Sequence, residues 1–485
     1  MNQQSTPVYD GLIKYHRKQE YSFHVPGHKD GLVFPEKAES VFKSILSIDA
    51  TEVANLDDLY HPEGILRDAQ RLLAAYYETR ASYFLVNGST VGNLTMVLAT
   101  CEPGDVVLVQ RDSHKSVFNA LKLAQVHPVF LAPSVDPSSG LAAGIELQAL
   151  VECMNRYPQA KALILTYPSY YGIASQSIGP LIACAHQQGL YVLVDEAHGP
   201  HFKIGAPVPP SSLDLGADLV VHSAHKMLPA MTMGAYLHVN STRVSLEKIE
   251  SVRAMLQSSS PSYPIMASLD LARYYMAALD DIRIDRMLAR RDAFVRRLCS
   301  IDGLSVLHAD SNRFMLDPFK VVLQPATREN GFEVQRQLIA SGIYPEMADP
   351  RHVLLVLGLT EDIDYDEAFR CINQVIGQCA SGTSAEQGQA PSFPKFDSLV
   401  DSYRNLAVLS SEHTELNRSV GRTAAESVIP YPPGIPIVVE GERVTEHGLE
   451  LIRYWQEAGA VFQNEWINQG KIKVYQLREH HKNDT

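Results

Sequence analysis

The chain has 485 residues, 45% hydrophobic and 20% charged, which is enough apolar material for two or three packed domains around a large core. Its formal net charge of −13 at pH 7 argues against non-specific nucleic-acid binding and mildly favours a cationic substrate, and no basic run would lay a helix on a membrane surface. Nowhere do about 18 apolar residues run together, and the opening MNQQSTPVYDGLIKYHRKQEYSFHVPGHKDG has no continuous apolar segment, so neither a membrane span nor a secretion signal is expected and the cytoplasm is the default compartment.

From about residue 60 to 280, short apolar runs alternate with helix-period segments, as in an α/β sheet covered on both faces. The pattern opens with a helix: in GILRDAQRLLAAYYETR, Ile65, Leu66, Ala69, Leu72, Leu73 and Tyr76 recur at helical spacing. Strands are predicted at SYFLV (82–86), DVVLVQ (105–110), KALILTY (161–167), LYVLVD (190–195), DLVVHS (218–223) and GAYLHV (234–239). Between the third and fourth lies a helix, IGPLIACAHQQG, ending on a glycine cap at Gly189. After about residue 280 a long charged helix, DDIRIDRMLARRDAFVRRLCS, leads into short strands such as FKVVLQ and HVLLVLGL. The predicted organisation is an N-terminal arm over 1–60 and a large α/β domain over 61–280 with a mostly parallel central sheet covered by helices. A smaller α/β domain over 281–380, a Gly-, Ser-, Ala- and Gln-rich linker over 381–395 and a C-terminal piece over 396–485 follow. Six cysteines are scattered without a Cys-x-x-Cys pair, so neither a zinc knuckle nor a disulfide framework is indicated and buried thiols are expected.

In sheets wound with helices, ligands sit beyond the carboxyl ends of the strands, so the residues just past each apolar run matter most. After SYFLV comes NGSTVGN (87–93), a small turn opening into the helix LTMVLAT. Its Ser89 and Thr90 hydroxyls, free backbone N–H groups and positive helix end suit a phosphate monoester, although a plain helix cap uses the same residue types. After DVVLVQ comes RDSHKS, which places His114 at the same edge; a packed or surface histidine would read no differently. After KALILT comes the aromatic, turn-rich YPSYYGIA (167–174). After LYVLV comes DEAHGPH (195–201), with Asp195 and His198 at the exit, where a carboxylate can hold a protonated ring nitrogen by a charge-assisted bond. The letters DEAH also occur in nucleotide-driven helicases, but that role requires a phosphate loop G-x-x-x-x-G-K-[ST], and the chain has none. His198 and His201 match no zinc spacing, so no metal is expected. Finally VVHSAHKMLP (220–229) ends a buried run in Ser223, His225 and Lys226. A phosphate cup, a ring-stacking histidine, an acid for a pyridinium and a lysine for an imine together describe a site for pyridoxal phosphate.

These motifs are joined by FHVPGHKDG, LDDLYHPEG, SSSPSYPIMASLD and GRTAAESVIPYPPGIPIVVEGE. In that order they resemble the Orn/Lys/Arg decarboxylase family, and in particular its short bacterial branch without the receiver-like wing domain, over about residues 5–300 and 418–445. The resemblance implies fold type I, the aspartate-aminotransferase fold, and a pyridoxal-phosphate-dependent decarboxylase. Position by position, Lys226 matches the lysine joined covalently to the cofactor, and Ser223 and His225 match its phosphate-binding neighbours. Ser89 and Thr90 match the phosphate cup, His114 the ring-stacking histidine and Asp195 the partner of the pyridine nitrogen. His198 stands where some wing-containing members carry tryptophan, and it joins the expected catalytic and cofactor-binding set. The SSSPSY loop (258–263) resembles a segment that reaches the phosphate of a neighbouring subunit through Ser259 or Ser260, which implies a homodimer with shared sites, or a higher oligomer.

Such a cofactor serves decarboxylation, transamination, racemisation or β-elimination alike, and pocket geometry chooses among them. Only the resemblance selects decarboxylation of arginine, lysine or ornithine to the amine, the first step of polyamine formation, with arginine fitting the short branch well. The chemistry implied has Asp195 keeping the ring nitrogen protonated, His114 holding the ring plane, and Lys226 or His198 delivering a proton to the α-carbon. For the substrate's distal cation the candidates are Asp57, Asp58, Glu63 and Glu426, although a carboxylate in such a place more often serves a surface or capping role. Another fold-type-I activity, aminotransferase or lyase, and a catalytically silent cofactor-binding protein are the alternatives.

Overall fold

The computed structural model describes residues 1–53, 56–380, 382, 394–432 and 434–476; residues 383–393, most of the predicted linker, lie outside them. The fold class is the expected α/β one, with a large mixed sheet flanked by helices and a smaller α/β layer toward the C-terminus. The chain divides into two compact units, Met1–Thr100 with Tyr191–Ile284, and Cys101–Leu190 with Asp285–Thr485. All six predicted strands are present to within one residue at either end.

In the first unit the strands Ala81–Leu85, Ala235–Val239, Leu219–His222 and Tyr191–Asp195 lie in that order, the first two junctions antiparallel and the last parallel. Val194, Val220, Val221 and Leu237 have no exposed surface, because helices cover both faces; this is why the runs are continuously apolar rather than alternating. The helix Ile65–Tyr77 buries Leu66, Ala69, Leu72 and Leu73, the stripe marked by its sequence period. Each large apolar side chain so buried contributes roughly 1.5–3 kcal/mol, so tertiary packing rather than intrinsic propensity holds these short helices. The helix Gly88–Thr100 approaches Leu219–His222 through Gly92, where a Cβ would come 2.6 Å from Val221 Cγ2. Only glycine permits that approach.

This helix also begins earlier than expected. Gly88 adopts φ +76 and its N–H donates to Met233 O at 2.9 Å, reversing the chain directly after the strand. Ser89 and Thr90 therefore lie within the first helical turn and not in a loop before it.

In the second unit Ala162–Thr166, Val106–Gln110 and His127–Leu131 are parallel, with Phe396–Ser398 antiparallel at the edge. A second sheet, Leu304–Val306, Lys320–Pro325, Val353–Val356 and Met347–Ala348, is antiparallel throughout. Near the C-terminus Ser411–Glu415 pairs with Lys471–Tyr475 over a core that includes Val428, Val438, Ile452, Ile472 and Val474. The cysteines only partly match the expectation of buried thiols: Cys101 and Cys153 are buried, Cys184, Cys371 and Cys379 half-buried, and Cys299 is exposed at a helix end. No helix among the described residues is long and apolar enough to cross a membrane.

Candidate active site

Three hydrogen bonds bring the first unit's expected residues to one place. Ser223, at the start of the short helix Ala224–Met227, donates from Oγ to Ser89 Oγ at 2.7 Å, joining a strand exit to the first turn of Gly88–Thr100. One turn further along that helix, Asn93 Nδ2 donates to Asp195 Oδ2 at 2.7 Å. His198 Nε2 lies 3.0 Å from Lys226 Nζ. Asp195 is 4% exposed and its second oxygen accepts from Ala197 N at 3.2 Å, so two donors fix the carboxylate at the strand end. His225 turns its Nδ1 to Gly234 O at 3.1 Å, and Thr90 is exposed beside Ser89. Ser259 and Ser260 sit on an exposed loop after Leu246–Leu256 and make no hydrogen bond to this cluster among the described residues; the loop folds on itself through Ser260 N and Ser258 Oγ at 3.2 Å.

Two members of the cluster were not singled out from sequence. Asn93 stood inside NGSTVGN, four residues after Ser89, and an i,i+4 spacing on a helix puts both on one face. Gln257 carried no signal. Its Oε1 accepts from Val86 N at 2.8 Å, while its buried Nε2 has no hydrogen-bond partner among the described residues. Two hydroxyl-bearing helix starts and an orphaned buried amide form a donor set suited to a phosphate dianion, and a buried carboxylate and an amine suit the two ends of a pyridine aldehyde.

His114 belongs to the second unit. It caps the helix Lys115–Leu123, its Nδ1 accepting from Ser116 N at 3.2 Å. In the neutral ring this leaves the proton on Nε2. The C-terminal segment closes on this histidine: Lys115 N donates to Gly434 O at 3.1 Å, and a Cβ on Gly434, whose φ is +85, would sit 3.2 Å from His114 Nε2 and 3.4 Å from Tyr431 Cδ2. Tyr170 OH donates to Glu346 Oε1 at 2.6 Å. Burial, with the neighbouring Glu346 and Tyr431, raises Tyr170 well above the usual phenol range, so it stays a donor.

A model of the Orn/Lys/Arg decarboxylase major domain matches residues 6–309, and one of the family's C-terminal domain matches residues 393–465. The chain belongs to the Orn/Lys/Arg decarboxylase family. An uncharacterised Bacillus subtilis protein is 42% identical over 458 residues, covering 92% of this chain and 94% of its own length. The arginine decarboxylase of the same species is 31% identical over 468 residues, covering 95% of each. Among solved structures, the constitutive lysine decarboxylase of E. coli gives a TM-score of 0.78 at 19% identity, covering 98% of this chain and 82% of that one. A Francisella novicida lysine decarboxylase gives 0.77 at 18%, covering 97% and 81%. Membership brings pyridoxal phosphate as the cofactor and decarboxylation of a basic amino acid as the reaction.

Two carboxylates expected at the distal end of the decarboxylase substrate are engaged elsewhere. Asp57 caps the helix Ile65–Tyr77, Oδ1 accepting from Glu63 N at 2.9 Å and Oδ2 from Gly64 N at 2.7 Å and Leu66 N at 3.0 Å. Glu426 accepts from Lys473 N and Asn464 Nδ2, each at 3.0 Å, and so ties the strand Lys471–Tyr475 to the segment before it. Asp58 accepts from Tyr60 N at 2.7 Å, and Glu63 is exposed. Carboxylates that look alike in sequence are separated here by which backbone donors reach them.

Asp112, between the buried Arg111 and the His114 turn, offers a pH handle on the decarboxylase fold. Arg111 is committed to Glu442, Nη2 to Oε2 at 2.7 Å, and Asp112 Oδ1 is shielded from solvent with no hydrogen bond among the described residues. Desolvation outweighs the nearby guanidinium and pushes the Asp112 carboxyl up to about 6. A folded pKa above the unfolded value of about 3.9 means the native state binds more protons between those values, so stability falls as pH rises through that window and the penalty is complete above it. Asp112→Asn should therefore raise the melting temperature at pH 8, by the equivalent of about 1–2 kcal/mol, and leave it nearly unchanged at pH 4. Equal shifts at both pH values would refute the assignment.

Proposed function

We propose that this decarboxylase acts foremost on arginine, converting it to the corresponding amine as the first step of polyamine formation, in the cytoplasm and as a homodimer with shared sites. The observation that carries the reading is the cluster in which Ser89, Asn93, Asp195, His198, Ser223 and Lys226 are linked pairwise by hydrogen bonds. Bound pyridoxal phosphate supplies an electron sink for the bond broken as CO₂ leaves. The chain does the rest. Lys226 holds the cofactor covalently, Asp195 keeps a positive charge on the ring nitrogen, and Ser89, Thr90, Ser223 and His225 hold the phosphate. His114 keeps the ring plane, while the 3.0 Å contact of His198 with Lys226 gives a path for the proton that must return to the α-carbon.

The preference for arginine rests on the arginine decarboxylases, at 30–31% identity with 94–95% of their length covered, against lysine decarboxylases at 22–23% with 76% covered. For the distal cation the exposed Glu63, one of the carboxylates expected from sequence, remains a candidate. Exposed apolar side chains on the arm, Phe23 at 94%, Leu32 at 86% and Val41 at 77%, support association with a second copy. The test is CO₂ release from arginine, lysine and ornithine by purified holoenzyme. Arginine should give the highest kcat/KM. Amino-group transfer without CO₂ would overturn the reaction, and a preference for lysine or ornithine the substrate.

A further inference from the structure

Directly beneath Asp195 the first unit holds a buried polar chain that the reaction does not use. Glu196, next in sequence, has no exposed surface. Its Oε1 accepts from Ser211 Oγ at 2.7 Å and faces His222 Nε2 at 3.0 Å, and its Oε2 accepts from Ser212 N at 2.7 Å and from Ser212 Oγ. Four donors converge on two oxygens, a load that a carboxylate takes and an apolar side chain cannot. His222 ends the strand Leu219–His222, and Ser223 follows it.

The chain continues inward. His222 Nδ1 lies 3.1 Å from His238 Nε2, His238 Nδ1 lies 2.7 Å from Ser82 Oγ, and Ser82 Oγ lies 2.7 Å from Thr79 Oγ1. Both imidazoles are fully buried and pack on Tyr77, at 5.1 and 4.5 Å between ring centroids, while Tyr77 OH donates to Pro200 O at 2.6 Å. Burial and the facing His222 ring hold His238 well below the usual histidine range. A carboxylate only accepts, so His222 Nε2 bears a hydrogen; with both rings neutral, His238 Nε2–H donates to His222 Nδ1, and Ser82 donates to His238 Nδ1. Complete burial denies this chain any substrate. What Glu196 joins, through one backbone N–H and three side-chain donors, is the residue after Asp195, the turn at 211–212 and the residue before Ser223.

We propose that Glu196 is a positioning residue of the decarboxylase, one carboxylate that locks the turn after Asp195 to the strand end before Ser223 and so sets the aim of both side chains at the cofactor. The inference rests on the reading of Asp195 as the partner of the ring nitrogen. Hydrogen-bond geometry is the operative property. In Glu196→Ala the fixed donors Ser212 N–H and His222 Nε2–H lose their acceptor, and buried donors so stranded pull the two segments apart to find new partners. In Glu196→Gln the amide oxygen keeps Ser212 N–H while its NH₂ faces His222, and the imidazole chain accommodates this by reversing its polarity, ring by ring.

The experiment compares holoenzymes by two measurements other than turnover: the dissociation constant of pyridoxal phosphate, by titration of the resolved protein, and the pH midpoint of the bound cofactor's visible absorption band. Glu196→Ala should weaken cofactor binding about tenfold and move the midpoint by at least about half a unit. Glu196→Gln should stay within about twofold of the parent in affinity with its midpoint unmoved. A folded Glu196→Ala protein with parental affinity and midpoint would overturn the proposal, as would a Glu196→Gln protein as impaired as the alanine variant. Should Glu196→Ala not fold, His222→Leu, which removes one fixed donor at similar volume, must shift both readings in the same direction, and no shift there overturns the proposal equally. Asp195→Asn is the control on the underlying reading: a midpoint that ignores it removes Asp195 from the ring nitrogen, whereas a midpoint that responds to Asp195→Asn but not to Glu196→Ala rejects only the role of Glu196.

Discussion

Alanine in place of Lys226 is expected to abolish the covalent attachment of the cofactor and to lower CO₂ release by about 10³-fold or more. An ordinary lysine amine, with a pKa near 10.4, is mostly protonated and a poor nucleophile at neutral pH, so a lysine held ready to bond the cofactor would give the site its reactivity. Lys226 is placed for that by the short helix Ala224–Met227, which begins directly after a buried strand, and by His198 Nε2 at 3.0 Å. Removing it also removes one of two groups able to return a proton to the α-carbon, a role worth roughly 10²–10⁴-fold by itself. The change leaves Ser89 and Ser223, the residues proposed to hold the phosphate, untouched, so cofactor should still bind, without covalent attachment. The check is borohydride reduction followed by peptide mapping. The parent should carry the reduced cofactor at residue 226, and the variant nowhere; a label persisting on another lysine would sink the assignment.

Asp195→Asn should lower kcat on the order of 10²–10³-fold while changing KM and melting temperature little. The substitution conserves volume in a site that is 4% exposed. The Asn93 amide, now 2.7 Å from Asp195 Oδ2, can turn its oxygen toward the new NH₂ group, and Ala197 N can keep its acceptor, so packing and hydrogen bonding survive. Charge does not. A neutral amide cannot hold a proton on the ring nitrogen in a low-dielectric site, and without that cation the ring draws electrons poorly when CO₂ departs. Steady-state kinetics at saturating cofactor, beside a thermal melt, separate the two effects. A variant with parental kcat would remove Asp195 from the chemistry, and a large fall in melting temperature would make its role structural.

The substrate carboxylates show where one-dimensional reasoning stops. Asp57 and Glu426 stand in motifs as suggestive as those of Asp195, yet their oxygens are taken by backbone donors at a helix start and by a hairpin. The pairing of Tyr170 with Glu346 was not legible either, since it joins residues 176 apart in the chain. The start of the helix Gly88–Thr100 was misplaced for a similar reason: the acceptor that holds Gly88 N–H is Met233 O, in the turn before the strand Ala235–Val239, far away in the chain.

What the amino-acid order determined by itself is local and periodic. Continuous β-branched runs mark strands buried on both faces, and their abrupt polar ends mark the edge where a ligand is expected, which is what singles out Lys226, Asp195, Ser89 and Ser223 as candidates. Tertiary structure alone decided which polar groups meet: Asn93 with Asp195, Gln257 with Val86, Glu196 with His222. The reason is physical. A strand's hydrophobic pattern reports burial, a property of one residue and its surroundings, whereas a hydrogen bond depends on two groups whose separation in the chain says nothing of their separation in space.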